Sequence, residues 1–289
     1  NKWGFMKNKT KLAIFLMILS ALSFSLMQMS VKISGKSIPV MQQVFSRNLI
    51  IMIISIIVLL KNKESFLPNK ESIIPLILRS LFGFLGVVAS FYAFNNMILA
   101  DASILQNTSP FWATFFAFLI IKEKIFKVQW LALIIAIIGA MFVIKPSFNS
   151  NIFPSLVALS GAMFAGLAYT MIGYLKGKER NSIIILYFSF ISFVLSLIFA
   201  KTFVMPNLYE FLMLILIGVF AGFGQFFLTV SYKEAPVSTV SIFNYTGLIF
   251  SYLISVLFFN ELIDFYSIIG MLLTISAALI VYFYKLKFK

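Results

Sequence analysis

Residues 38–60 read IPVMQQVFSRNLIIMIISIIVLL and run straight into KNKE. Arg47 is the single charge in that stretch, and the apolar run is continuous rather than alternating. As a helix at 1.5 Å per residue it measures about 34 Å, enough to cross the ~30 Å hydrocarbon layer of a bilayer. A barrel strand is shorter and alternates, so this reading excludes a β-barrel. Working outward, nine more stretches of the same kind fall at about 12–31, 74–94, 102–121, 128–144, 155–175, 183–200, 208–230, 238–259 and 265–284. The connections are short, hold the turn residues and most of the charge, and leave no room for a soluble domain. The sequence therefore predicts an all-α integral membrane protein of ten transmembrane helices. The first run follows Lys2, Lys7, Lys9 and Lys11 as a signal peptide would, but it is long and lacks a small-residue cleavage site. It is expected to stay as the first span.

Composition agrees. Of 289 residues, 61% are hydrophobic and 11% charged, against roughly 45–50% and 25% in soluble domains. A soluble enzyme, a nucleic-acid-binding domain and a disordered chain are all excluded. There is no Cys and no His, which removes thiol nucleophiles, disulfides, zinc sites, haem ligation and imidazole acid–base chemistry. No cofactor and no metal are expected.

The net charge of +14 has a membrane explanation. With the N-terminus inside, 17 of the 23 Lys and Arg lie in inner segments and four, Lys32, Lys36, Lys145 and Lys201, lie outside. Cytoplasmic loops accumulate Lys and Arg, so both termini are expected in the cytoplasm, and nucleic acid is not needed as a partner. The expected partners are the bilayer and a small-molecule substrate; a homodimer is left open.

A shift of 138 residues superposes the chain on itself: Ser103-Ile104 meets Ser241-Ile242, Thr108 meets Thr246, Glu123 meets Glu261 and Gly86 meets Gly224. Each half has five spans, with a polar break carrying a Glu between its fourth and fifth. Five is odd, so the second half enters the membrane upside down. Two inverted five-helix repeats, at 12–144 and 155–284, are the architecture of secondary transporters.

These residues also carry a resemblance. The run Ser90-Phe91-Tyr92-Ala93-Phe94 through Ala100-Asp101-Ala102-Ser103, then Ser109-Pro110-Phe111, Lys122-Glu123-Lys124, Tyr232-Lys233-Glu234-Ala235-Pro236 and Asn260-Glu261-Leu262 resembles the ten-span EamA-type carriers of the drug/metabolite transporter superfamily. The chain departs from that family in the ninth span, where Gly247-Leu248 replaces the usual Pro. The resemblance implies a carrier of small metabolites, of unspecified cargo, more often an exporter than an importer.

Charges and amides inside spans are the candidate working parts. Arg47 lies about eight residues, or ~12 Å of helix, beyond Pro39. It either meets an anionic cargo group or snorkels to the interface. Arg79, nearer the inner end of its span, reads as snorkelling. Polar side chains on the third, fourth, sixth, eighth and ninth spans, Tyr92, Gln106, Asn107, Tyr169, Gln225 and Asn244, are candidate cargo contacts, or else helix–helix hydrogen bonds. Residues 103, 107, 110 and 114 share one helix face, and Pro110 frees a backbone carbonyl there. No acidic residue sits at mid-span, so a buried carboxylate relay is not expected. Asp101, Glu123 and Glu261 are candidate gating or coupling groups, or ordinary helix-end charges. Small residues recur at Ser80, Gly83 and Gly86, at Gly166, Thr170 and Gly173, and at Gly218 and Gly222, as close packing or sliding contacts require. Gly35-Lys36-Ser37 mimics the tail of a phosphate-binding loop, but the required earlier glycine is Ser30. Transport is therefore expected to be secondary or facilitated. A membrane-embedded enzyme lacks its side chains here, a scaffold would tolerate loss of the polar set, and a lipid flippase or a vitamin or cofactor importer remains an alternative.

Overall fold

The computed structural model describes residues 2–122, 125–144, 152–234 and 241–287. They form eleven α-helices: α1 Lys2–Ser34, α2 Val40–Lys61, α3 Ile73–Asn96, α4 Leu99–Gln106, α5 Ser109–Phe116, α6 Lys127–Ile144, α7 Phe153–Leu175, α8 Asn181–Leu197, α9 Leu208–Glu234, α10 Thr246–Phe259 and α11 Phe265–Lys287. Helices α4 and α5, with the π-helical turn Ala117–Ile121, make up a single span, Leu99–Ile121. Among the described residues nine spans are long and apolar enough to cross a bilayer, and α8 is a shorter apolar helix that makes the tenth. Large apolar side chains such as Leu60, Ile74, Phe226 and Leu257 are exposed, as a lipid solvent allows.

The fourth span is broken where the sequence suggested one run. Pro110 has no N–H to donate. The chain relaxes through turn residues Asn107 and Thr108, and Pro110 then sits in the first turn of α5, where its missing donor costs nothing. The ninth span starts in the same loose way, with a 3-10 turn over Ser241–Tyr245 ahead of α10.

Helix pairing is symmetric between the halves. The two most extensive contacts join α1 to α9 and α3 to α7. Exchanging the first five spans for the last five turns one of these pairs into the other. The same exchange maps the α2–α8 and α6–α11 pairs onto themselves. The fourth spans of both halves end alike: the Lys122 N–H bonds Ala117 O and the Asn260 N–H bonds Ser255 O, each across a turn one residue wider than α-helical. Both residues are left-handed, at φ 59° and φ 53°, and they stand 138 positions apart, just before Glu123 and Glu261. Glu123 itself lies outside the described residues.

Glycine makes the closest crossings. A Cβ on Gly86 would sit 3.1 Å from Ala165 N and 3.3 Å from Gly161 O, so α3 and α7 meet backbone to backbone. A Cβ on Gly139 would sit 3.0 Å from Gly270 O where α6 crosses α11. Gly218 accommodates Ile50, whereas Gly173 faces open space. Gly35, in the mimic of a phosphate-binding loop, instead gives way to the Asn95 side chain, 2.1 Å from where its Cβ would be.

Because backbone cannot yield as a side-chain tip can, Gly86→Leu is expected to cost about 1–3 kcal/mol. Gly173→Ala is expected to be silent. Thermal unfolding of the purified protein, followed by gel filtration after heating, separates the two.

Candidate functional site

Hydrogen bonds tie the helix ends into two faces. On the face opposite the N-terminus, Lys32 near the end of α1 forms an ion pair with Glu261 in the α10–α11 connection. The Lys32 ammonium also donates to Met97 O at 2.8 Å and lies 5.1 Å from the centre of the Phe259 ring. The second Glu261 oxygen accepts the Leu99 N–H at 3.2 Å and the Ser255 hydroxyl at 3.0 Å. One carboxylate thus joins α1, the α3–α4 corner and α10. Asp101 is buried within electrostatic reach of Lys32. Gln42 exchanges two hydrogen bonds with the Val204 backbone on the same face, and the Ser37 hydroxyl donates to Glu210. On the N-terminal face Arg180 pairs with Glu64 at 3.6 Å, Ser182 donates to Glu64, and the Asn69 N–H donates to Glu179.

The interior carries a second polar group of a different kind. Arg47 on α2 and Arg79 on α3 are both buried, at 5% and 8% exposure. Their guanidiniums lie 5.6 Å and 3.8 Å from the centre of one ring, Phe188 on α8. Arg47 Nη1 donates to the neighbouring Asn48 Oδ1 at 3.1 Å. Arg47 Nε, Arg79 Nε and Arg79 Nη1 are buried with no hydrogen-bond partner. Tyr169 on α7 lies within electrostatic reach of both arginines, beside the Ser109 hydroxyl. The residue is nonetheless 48% exposed. Tyr169 thus stands where α2, α3, α5, α7 and α8 bring Arg47, Arg79, Ser109 and Phe188 together. Arg79 therefore does not snorkel: the side chain turns inward along α3 and stacks on Phe188, and Gly83 one turn on leaves it room, with Arg79 Nη1 2.9 Å from where a Cβ would stand.

The other sequence candidates are dispersed. Gln106 Oε1 accepts the Ser90 hydroxyl at 2.7 Å, an interhelical bond between α4 and α3. Asn107 Nδ2 donates to Ser103 O within its own span. Tyr92 packs edge-on against Phe153 at the end of α3. Gln225 and Asn244 are half-buried on α9 and in the Ser241–Tyr245 turn. Pro110 is exposed and Thr114 donates to its carbonyl. A small apolar pocket lined by Phe111, Trp112, Leu133, Ala140 and Leu159 among others contains none of the arginines. Among the described residues no three acidic side chains gather into a cation site.

Sequence reasoning missed the first helix. Gln28 Oε1 accepts hydroxyls from both Ser103 on α4 and Ser251 on α10, at 2.7 and 2.8 Å. Gln43 links α2 to α1 and α3 through Val31 O, the Ser34 hydroxyl and Asn95. Lys32, counted as an outer loop charge, is a paired interior one. The available signal was the same one used elsewhere: an amide or ammonium within a span.

The comparisons with known proteins agree with this architecture. A protein of known crystal structure, 15% identical, matches 98% of this chain and 99% of its own with a TM-score of 0.67, which bears on the fold alone. The pseudopaline exporter CntI of Pseudomonas aeruginosa is 30% identical over 272 residues, covering 93% of this chain and 95% of the exporter. An S-adenosylmethionine uptake transporter of Rickettsia prowazekii is 22% identical over 216 residues, 73% of this chain and 72% of its own. The EamA-like transporter family matches residues 11–145 and 152–283. Matched across both halves, the chain belongs to the EamA-like transporter family, whose relatives are membrane transporters of small molecules.

Proposed function

We propose that this chain is a secondary transporter of small organic metabolites across the cytoplasmic membrane, working by alternating access in the direction of export. The observation that carries the reading is a fastened face together with an exposed side chain among buried ones. The Lys32–Glu261 pair fastens three helices together on one face, while Tyr169 stays 48% exposed beside the buried Arg47 and Arg79. Alternating access needs one gate shut while the site stays reachable.

In this reading the halves are inverted repeats at 12–144 and 155–284, with both termini in the cytoplasm. That orientation puts Glu261 at the outer gate, with Asp101 beside it. Glu123, its repeat mate in sequence, serves the inner gate. Arg47 and Tyr169 contact cargo directly, and Tyr92, Gln106, Asn107, Gln225 and Asn244 line the path as the two halves rock. Export is supported by the relationship to a pseudopaline exporter. Import is the second reading, supported by the more distant S-adenosylmethionine uptake transporter.

Paired metabolite profiling of cells lacking and overproducing the protein tests the reading. A solute that builds up in the medium on overproduction is the expected result, and one that builds up inside reverses the direction. Unchanged profiles in several media contradict metabolite transport. For the gate, Glu261→Ala strands the Lys32 ammonium, and stability is expected to fall by about 2–4 kcal/mol, near the lower end for a broken buried pair because this one is partly exposed. A Lys32→Met, Glu261→Met double variant is expected to recover stability but not transport. Full transport by the double variant removes the gate role.

A further inference from the structure

We infer that Arg47 and Arg79, converging beside Phe188, form the binding site for an oxyanion group of the cargo, a carboxylate or a phosphate, with the Tyr169 hydroxyl as a third donor. The inference rests on the transporter reading for the path to the site, but its chemistry stands on the side chains themselves.

The two arginines reach one place from opposite ends of the bundle. Arg47 is the eighth residue of α2 and Arg79 the seventh of α3, and these helices run in opposite directions. Phe188 is the eighth of the 17 residues of α8, close to its midpoint. The guanidiniums converge on that ring at mid-depth, where a charge is most expensive. They also repel each other across it.

Phe188 and the Asn48 amide offset only part of that cost. Among the described residues, neither arginine forms an ion pair, and the titratable neighbour within reach of both, Tyr169, is a phenol rather than an acid. Three of their nitrogens are buried without an acceptor. A structural arginine buried for packing is ordinarily paired or bonded to carbonyls. The molecule supplies the contrast: Lys32 has a carboxylate, a backbone carbonyl and an aromatic face. Arg79 has the aromatic face alone.

What is missing is an acceptor with negative charge and more than one oxygen. The planar guanidinium fork matches carboxylate and phosphate oxygens in bidentate fashion. Two forks and no resident acid favour cargo with two negative charges, such as a dicarboxylate or a phosphate monoester, over a monoanion. They disfavour polyamines and other cations. Tyr169, partly exposed and within reach of both arginines, adds a hydroxyl donor beside them.

The test is binding by the full-length protein in lipid nanodiscs, with succinate, inorganic phosphate and putrescine as probes and unfolding temperature as the readout. Ligands that bind the folded state raise it by mass action. Succinate or phosphate is expected to stabilise the protein and putrescine is not; which anion acts more strongly decides between carboxylate and phosphate. Arg47→Gln and Arg79→Gln are each expected to weaken the binding by roughly 10- to 100-fold, the worth of a charge-assisted hydrogen bond. Arg79→Gln is expected to leave the unliganded unfolding temperature unchanged or higher, because it removes an unpaired buried charge, whereas a structural arginine would lower it. Should a glutamine variant fail to fold, Tyr169→Phe, which removes one hydroxyl, is expected to cost severalfold in affinity. Stabilisation by putrescine, no response to either anion, or equal responses in wild type and variants overturns the inference. Metabolite profiling keeps the two claims separate. Solutes moved undiminished by Arg47→Gln and Arg79→Gln overturn the anion site and leave the transporter standing.

Discussion

A charge in hydrocarbon is the expense around which this molecule is arranged. It explains why 17 Lys and Arg crowd into the segments on one side in the sequence, and why almost every acidic residue lies at a helix end. It also sharpens the meaning of the charges that do enter the bundle. Lys32 and Glu261 neutralise each other and use their remaining capacity on backbone groups. Arg47 and Arg79 do neither. One polar group is satisfied within the protein; the other keeps buried nitrogens without an acceptor.

The helix contacts repeat between the halves. α1 with α9 and α3 with α7 are related by exchange of the halves, and the α3–α7 crossing is made by the small residues Gly86, Ala89, Gly161 and Ala165. Small residues at a crossing let the backbones approach closely. The looser joints lie elsewhere, at the break between α4 and α5 and at the 3-10 turn before α10. Both belong to the fourth span of a half, and each such span ends in a left-handed residue ahead of a Glu. The repeat therefore concentrates its irregular backbone where the candidate gates are.

Much of this was legible in the sequence because hydrocarbon imposes a long, uniform period that survives any detail of packing. The spans came from that alone. Arg47 and Tyr169 stood out for the same reason, as polar side chains where none is cheap. Arg79 was misjudged because its distance from the helix end allows snorkelling, while the direction of its side chain depends on Gly83 and Phe188, which no linear pattern joins. Lys32 was hidden by lying within one turn of the end of α1, and its partner is 229 residues away. Gln106 and Asn107 bond to Ser90 and to their own helix, the alternative that helix–helix bonding offered from the start. Long-range pairing inside a bundle is set by rotation of each helix about its axis, and a single sequence fixes that only weakly.

The central claim is that the surface around Tyr169 is a water-filled cavity reached from one side of the membrane at a time. The chain contains no cysteine, so Tyr169→Cys creates a unique thiol. Labelling with a membrane-impermeant maleimide in intact cells and in inside-out vesicles reads its accessibility directly. The account predicts reaction from the cytoplasmic face, none from the outer face, and outer access once Glu261→Gln opens the latch. A thiol that reacts from neither aqueous side, and yields only to a lipid-soluble reagent, would contradict it.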